Sequence, residues 1–152
     1  DQAREGARAR EAINRLALAA REARHLAVIK RRTVTVCPSR TPLTCDGQWT
    51  DTLLIFAGRA NASDKQLLTT LPALSRGKVS WRSFRGNDYL EMQGNGLTLA
   101  QNGTFVYCPD NGNLRYARAL ILNKSGRARL ADDLNGDGIV DLSRGNSVSC
   151  ER

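Results

Sequence analysis

The chain has 152 residues, the size of one domain that is large enough to bury a core. It carries 23 Lys and Arg against 15 Asp and Glu, for a formal net charge of +8, and only 5% of its residues are aromatic. This balance favours anionic partners such as nucleic acid, acidic polysaccharide or a membrane surface. The sequence shows neither a signal peptide nor an apolar run of about 18 residues, so no membrane span is predicted within it.

Residues 1–30 are predicted to form one long helix, because they contain no proline and are rich in alanine, leucine, arginine and glutamate. Small apolar residues recur every three or four positions and would form one buried face: Ala9, Ile13, Leu16, Ala20, Ala23 and Ala27. The arginines between them would form a solvated basic face: Arg8, Arg10, Arg15, Arg21 and Arg24. At 1.5 Å per residue the helix would be about 45 Å long, so we expect its first two or three turns to extend beyond the body.

The body, residues 31–131, is predicted to consist of short antiparallel strands, and residues 132–152 to form a glycine-rich loop. Apolar runs between turn signals predict strands at 32–37, 53–57, 66–74, 78–84, 89–92, 97–101, 104–108, 116–123 and 126–131. Trp49 would hold the loop at 38–50 against the body. Asn102-Gly103, the strongest hairpin signal, would connect the strands at 97–101 and 104–108, and Lys124-Ser125 would turn the last hairpin. One helix followed by strands predicts a single α+β domain, a roll with the sheet packed on the helix.

The four cysteines predict two disulfides. None lies in a Cys-x-x-Cys pair and the single histidine, His25, is on the predicted helix, so a zinc site has little support. Four cysteines allow three connectivities, and only proximity in the sequence favours Cys37 with Cys45 and Cys108 with Cys150. Disulfides imply an oxidising compartment. Since no export signal is visible, we expect the natural N-terminus to lie upstream of this chain.

Catalysis has little support in the sequence. With one histidine and paired cysteines, neither a Ser–His–Asp nor a Cys–His arrangement can be assembled. A P-loop and a dinucleotide-binding fingerprint are also lacking. We therefore predict a binding or structural protein without a resident cofactor.

Residues 111–129 concentrate positive charge, with no acid among them, in five side chains: Arg115, Arg118, Lys124, Arg127 and Arg129. In a strand, Arg127 and Arg129 would project from the same face about 6.5–7 Å apart. This is close to the spacing of successive phosphates on an extended nucleic-acid backbone, about 6–7 Å. The guanidinium fork can also hold a phosphate with two hydrogen bonds. The alternative is a solvated edge strand whose charge opposes aggregation.

Residues 133–141 match the first nine positions of an EF-hand-like calcium loop. The ligand positions would be Asp133, Asn135, Asp137 and Asp141. The twelfth position is Arg144 rather than glutamate, and no helix flanks the loop, so an Asp- and Gly-rich turn is the favoured interpretation over a weak calcium site. Its acids would then fold back on Arg127 and Arg129.

Several short motifs occur together in the order typical of one protein family. They are the long helix, Cys37-Pro38-Ser39, Cys45, Trp49, the apolar strand at 53–57, the Gln-Asn-Gly-Thr-Phe run at 101–105, Cys108 and the Gly-Arg-Ala-Arg run at 126–129. Over residues 5–131 and Cys150, the chain resembles the FimT/GspH-type minor pilins, and among them the FimT type most. The resemblance implies a type IV pilin-like roll. The family's prepilin leader and apolar half-helix are absent here, which suggests that both have been removed.

The resemblance also implies a function and a location. Such pilins are held in the inner membrane of Gram-negative bacteria and then assemble with major and minor pilins into a filament that reaches the cell exterior. In FimT-like proteins the Gly-Arg-x-Arg motif is the implicated DNA contact, which assigns that role to Gly126, Arg127 and Arg129. The leading hypothesis is therefore a minor pilin that binds extracellular DNA without sequence preference for uptake in natural transformation. The alternatives are a structural subunit of a pilus or type II secretion pseudopilus that binds no DNA, and a calcium-dependent adhesin module.

Overall fold

The computed structural model describes residues 1–83, 86–98 and 101–151. Helix α1, Gln2–Lys30, occupies nearly the whole predicted range. The Asp1 carboxylate caps its first turn by accepting a hydrogen bond from the Arg4 backbone amide at 2.9 Å. Arg31 ends the helix in the left-handed conformation, with φ of 54°. Among the described residues, no helix is long and apolar enough to cross a bilayer.

The predicted apolar face of α1 is confirmed. All six alanine, isoleucine and leucine positions named above are buried, and Ala12 and Ala19 join them. Because Ala9 and Ala12 pack beside Tyr107, only about two turns of the helix lie clear of the body. The small side chains let both sheets approach the helix axis closely.

Two four-stranded antiparallel sheets pack on this helix. The first contains β1 (Val34–Ser39), β2 (Thr52–Ala57), β3 (Gln66–Leu71) and β5 (Leu90–Met92) in the order β3-β2-β1-β5. The second contains β4 (Lys78–Ser83), β6 (Gly103–Cys108), β7 (Arg118–Leu122) and β8 (Ala128–Leu130) in the order β4-β6-β7-β8. A 3-10 turn, Leu114–Tyr116, precedes β7. The predicted α+β roll is therefore confirmed.

Aromatic side chains join the two sheets beside the helix. Trp81 stacks on Phe105 with ring centroids 4.3 Å apart, and Trp49 meets Phe105 edge-on at 4.8 Å. Trp49 is 5% exposed, so it does hold the preceding loop against the body as predicted.

The C-terminal segment is more ordered than the predicted loop. It forms a small hairpin of β9 (Asp141–Ser143) and β10 (Asn146–Ser147). Beside this hairpin, Val148 packs with Val106, Ala119 and Ala131 in a second apolar cluster. Residues 139–150 therefore cover the apolar side chains on the outer face of the second sheet. We call them the C-terminal strap.

Both disulfides connect the pairs favoured by sequence proximity. Cys37 is bonded to Cys45 with 5.4 Å between Cα atoms, and Cys108 to Cys150 with 5.8 Å. The second bond fastens the C-terminal strap to β6. No free cysteine occurs in the described part of the chain, which contains all four.

The hairpin predicted across Asn102-Gly103 is wrong. Both edges of β6 are already occupied, since Gly103 pairs with Ser83 of β4 on one side and with Leu122 of β7 on the other. In the predicted strand at 97–101, Thr98 makes an isolated bridge to Met92, and residues 99 and 100 lie outside the described residues. Residue 84, the end of the predicted strand at 78–84, also lies outside them.

The predicted solvated basic face of α1 is wrong at Arg15. This side chain is only 9% exposed and its guanidinium donates to three backbone carbonyls, which belong to Trp49, Asp51 and Pro72. Arg24 is half-buried and also donates to carbonyls. These two arginines fasten distant segments to the helix instead of solvating it.

Overpacking the buried face of α1 should destabilise the domain. Ala23 has no exposed surface, so we expect Ala23→Leu to lower the free energy of unfolding by about 1–3 kcal/mol. Ala7→Leu, at an exposed position of the same helix, controls for helix propensity and should change little. Urea denaturation followed by circular dichroism measures both. Equal stability of the two variants would show that a different helix face packs on the sheets.

Candidate nucleic-acid interface

The predicted last hairpin is formed by β7 and β8, and its turn is tightly tied. Leu122 pairs with Ala128, and one step further the Asn123 amide donates to the Arg127 carbonyl at 3.0 Å. The Asn123 side-chain oxygen accepts from the backbone amides of Ser125 and Arg127 at 3.1 and 3.2 Å. Lys124 and Ser125 therefore sit at the tip of a turn that is held by one asparagine.

Strand register fixes which way the hairpin arginines project. Leu120 and Leu122 are buried under the helix, and their partners Leu130 and Ala128 share that face. Arg129, the alternate position within β8, therefore lies on the outer face of the sheet, and Arg127 lies one residue before the strand, at the turn. Ile121, the partner of Arg129, packs with the C-terminal strap on this outer face. The two arginines thus stand beside the edge of the strap.

The hairpin cations are available to an external anion. Lys124, Arg127 and Arg129 are exposed. The ion pairs in the described part of the chain join Arg8 to Glu5, Arg40 to Asp51 and Arg59 to Glu91, all in other regions. No carboxylate within the described residues neutralises the three hairpin charges.

Gly126 has a different role from the one predicted. The resemblance assigns it to the DNA contact, but in the structure it is buried, with φ of +80°. A Cβ atom at this position would lie 2.2 Å from the Gly96 carbonyl oxygen. A side chain would therefore push the turn away from residues 94–98, so glycine is needed for docking of the turn.

The docked turn is also fastened to the helix. Arg24 Nε donates to the carbonyls of Gly96 at 3.1 Å and Ser125 at 3.4 Å. The Lys124 carbonyl accepts from the Thr98 amide at 3.0 Å. Arg24 thus holds two loops against one helix face, and it positions the hairpin cations.

Arg115 and Arg118 do not join the hairpin cations. Arg118 is half-buried at the start of β7, where its Nη1 donates to the carbonyls of Arg115 and Ala117 at 2.9 and 2.8 Å. It lies five residues from Asn123, about 17 Å along the strand. The five-residue basic cluster of the sequence is therefore divided between the two ends of the hairpin.

The acidic loop contacts its own backbone rather than Arg127 and Arg129, which corrects the predicted fold-back. The Asp133 carboxylate accepts from the amides of Gly136 and Gly138 at 2.9 and 2.7 Å. The Gly138 amide is the main cause that lowers the pKa of Asp133 below its ordinary value. The arginine beside this loop is Arg115, whose Nη1 would lie 2.6 Å from a Cβ atom built on Gly138. In the described residues, no group of three His, Cys, Asp or Glu side chains is arranged to hold a metal.

The family of the chain is shown by a sequence comparison. The family described as type II transport protein GspH matches residues 12–126. The chain belongs to the GspH family. This match ends at Gly126, so it does not extend over Arg127 and Arg129. No curated protein matches the chain.

Solved structures share the fold of this GspH-family protein. The type IV minor pilin FimU of Pseudomonas aeruginosa in space group P65 is 24% identical, with a TM-score of 0.62 over 80% of this chain and 90% of that chain. The same pilin in space group P21 is 23% identical, with a TM-score of 0.64 over 80% of this chain and 86% of that chain. The minor pseudopilin EpsH from the type 2 secretion system of Vibrio cholerae is 11% identical, with a TM-score of 0.55 over 78% and 93%. These likenesses show that the GspH-family chain shares its fold with a type IV minor pilin and a minor pseudopilin. Its assignment to the FimT type stays a prediction.

Two residues beside the candidate interface were not predicted from the sequence. Arg21 and Arg24 were placed on a general basic face, but both border a groove beside Arg127. Their spacing of three residues does put them on one side of the helix. That spacing alone does not reveal that a hairpin about a hundred residues later docks on this side.

Proposed function

We propose that this GspH-family chain is a minor pilin and that it binds DNA through phosphate contacts at the β7–β8 hairpin. The observation that carries the proposal is the group of three exposed cations, Lys124, Arg127 and Arg129, without an acidic partner in the described part of the chain. They stand on a turn that Arg24 and Asn123 hold in place. Little ordering of the backbone is then needed when an anion binds.

The arrangement suits a phosphate backbone and does not suit the reading of bases. Arg127 and Arg129 occupy alternate positions, about 6.6 Å apart along the strand, so they match successive phosphates. Each guanidinium offers a planar pair of donors to one phosphate. Among the hairpin cations there is no aromatic platform on which bases would stack. Binding is therefore expected to be independent of sequence.

One domain should bind weakly. Non-specific protein–DNA complexes have dissociation constants of about 10⁻⁴–10⁻⁶ M at physiological salt. Firm capture of extracellular DNA would then require several copies or neighbouring pilins in a filament. In this role the subunit would take up DNA for natural transformation.

A structural subunit without DNA binding is the second candidate. Its support is the apolar surface on the solvent side of α1, where Leu18, Val28 and Ile29 are 43%, 43% and 63% exposed. Such residues would pack against other pilins in a filament. This candidate differs from the first in giving no role to the hairpin cations.

Loss of the hairpin arginines should weaken DNA binding without changing the fold. We expect Arg127→Gln and Arg129→Gln each to raise the dissociation constant similarly for unrelated duplexes, since phosphates carry no base information. Each lost contact should reduce the slope of log K against log salt by about 0.9. Fluorescence anisotropy with short labelled duplexes measures both quantities.

Controls in the same assay separate the two candidates. Arg8→Gln removes an equal charge from the first turns of α1, where Arg8 is half-buried and pairs with Glu5, and should leave affinity nearly unchanged. Arg115→Gln and Arg118→Gln should also have small effects, because these side chains are remote from the turn. If the double variant at 127 and 129 binds like the wild type, with the same salt slope, the structural-subunit proposal replaces the DNA-binding one.

A further inference from the structure

A groove lies between α1 and the tip of the β7–β8 hairpin. Its volume is about 420 Å³. It is lined by three alanines, which we call the floor, by three arginines, which we call the rim, and by Gly126. The alanines are Ala17, Ala20 and Ala128, and the arginines are Arg21, Arg24 and Arg127. None of the residues that line it is acidic.

The rim combines a fixed charge with two exposed ones. Arg24 is held by the carbonyls of Gly96 and Ser125, so its guanidinium cannot leave the groove wall without breaking both bonds. Arg21, one turn earlier on the helix, is exposed and pairs with no carboxylate among the described residues. Three positive charges around an apolar floor repel one another unless an anion lies between them.

We propose that this groove holds a further sugar–phosphate unit of the bound DNA, with Arg21 as an additional phosphate contact. The inference rests on the proposed DNA-binding function. The volume lies at the lower end of the range for ligand clefts, about 300–1,000 Å³, and exceeds what a phosphate alone requires. The alanine methyl groups would pack against the deoxyribose while the arginines bind the phosphate.

Strand β8 connects the groove to Arg129 on the outer face of the sheet. It is the edge strand of its sheet, paired only with β7 within the described residues. Ala128 is on the helix side and Arg129 is on the outer side, while Arg127 immediately precedes the strand, beside the turn, and borders the groove. A DNA strand that crosses this edge would meet Arg129, then Arg127, then Arg21. The binding surface therefore includes the helix as well as the hairpin.

Charge variants of the groove test this inference. Arg21→Gln should raise the dissociation constant for a short mixed-sequence duplex about tenfold, the lower end of what one charged hydrogen bond contributes, and reduce the salt slope by about 0.9. The matched control is Arg4→Gln, which removes the same charge about 25 Å away on the same helix and should change neither quantity.

A second pair of variants places the charge inside the groove. Ala128 is exposed, so Ala128→Glu and Ala128→Gln should both fold, which circular dichroism verifies. The glutamate should compete with phosphate for Arg21 and Arg24 and weaken binding about tenfold, whereas the glutamine should have a small effect.

The outcomes distinguish this inference from the function on which it rests. If Arg127→Gln/Arg129→Gln loses affinity while Arg21→Gln and Ala128→Glu bind like the wild type, the groove is not a DNA subsite, and an acidic segment of a neighbouring pilin becomes the better occupant. If the double variant also binds normally, the DNA-binding function itself fails. If Arg21→Gln and Arg4→Gln lose the same amount of DNA affinity, the groove contact is likewise overturned, because only the net charge of the domain would then matter.

Discussion

Replacing Arg15 with methionine should lower the free energy of unfolding by about 3–5 kcal/mol. The Arg15 guanidinium donates to the Pro72 carbonyl at 3.0 Å, to the Trp49 carbonyl at 2.9 Å and to the Asp51 carbonyl. Two of these acceptors precede β2 and the third follows β3, and the antiparallel register places the start of β2 beside the end of β3. One side chain therefore fastens one end of that strand pair to α1. Methionine would fill much of the space but leave the carbonyls without donors. Burial lowers the pKa of Arg15, and the charges of Glu11 and Asp51 oppose this shift.

Two variants separate the hydrogen bonds from the charge. Arg15→Lys keeps a cation but cannot reach three carbonyls at once. Its free energy of unfolding should therefore lie between those of Arg15→Met and the wild type. Arg10→Met, at an exposed helix position, should change stability by less than about 0.5 kcal/mol. Urea denaturation measures all three. A loss below about 1 kcal/mol for Arg15→Met would mean that water replaces the arginine in solution.

The helix shows both the success and the limit of prediction from sequence. Its range and buried face follow from local properties, namely helix propensity and a repeat of three or four residues. The role of Arg15 depends on Pro72, 57 residues away in the sequence. No periodicity of the helix encodes that contact. A charged residue beside an alanine stripe therefore has two possible roles, which only the packing of distant segments separates.

Two glycines have roles that the sequence does not predict. Asn102-Gly103 has the local signature of a tight turn, but a Cβ at Gly103 would lie 2.5 Å from the Arg82 carbonyl oxygen in the neighbouring strand. Glycine is present there because two backbones approach closely. Gly126 has the same kind of explanation, with Gly96 as the neighbour. In both cases the tertiary contact, which the sequence does not display, decides the role.

The candidate site was predicted in part. The charge excess at 111–129 indicated the hairpin cations, since charge density can be read directly from the sequence. The separation of Arg115 and Arg118 from the turn, and the approach of Arg21 and Arg24, depend on how the hairpin docks on the helix. Arg24 and Ser125, for example, are 101 residues apart. The interface therefore combines one local signal with one contact that only the fold creates.

Removing the Cys108–Cys150 disulfide should cost about 4 kcal/mol, against about 2.5 kcal/mol for Cys37–Cys45. On the chain-entropy model the difference follows from the sequence separations, 42 residues for the first bond and eight for the second. The longer loop includes the C-terminal strap, whose Val148 is 2% exposed. Paired Cys→Ser variants and urea denaturation give the two values, and thiol titration of the unreduced wild type should detect no free thiol.

The same variants should separate stability from DNA binding. Without Cys108–Cys150, the strap is still attached by Arg82, whose Nη2 donates to the carbonyls of Ser149 at 2.8 Å and Glu151 at 3.1 Å. The hairpin turn is held independently, by Asn123 and by Arg24. Well below its melting temperature, the Cys108→Ser/Cys150→Ser variant should therefore bind duplex DNA with wild-type affinity. A large loss of DNA affinity in a folded variant would show that the strap, and not only the hairpin, holds Arg127 and Arg129 in place. An equal or larger cost for Cys37–Cys45 would show that loop entropy does not set the order.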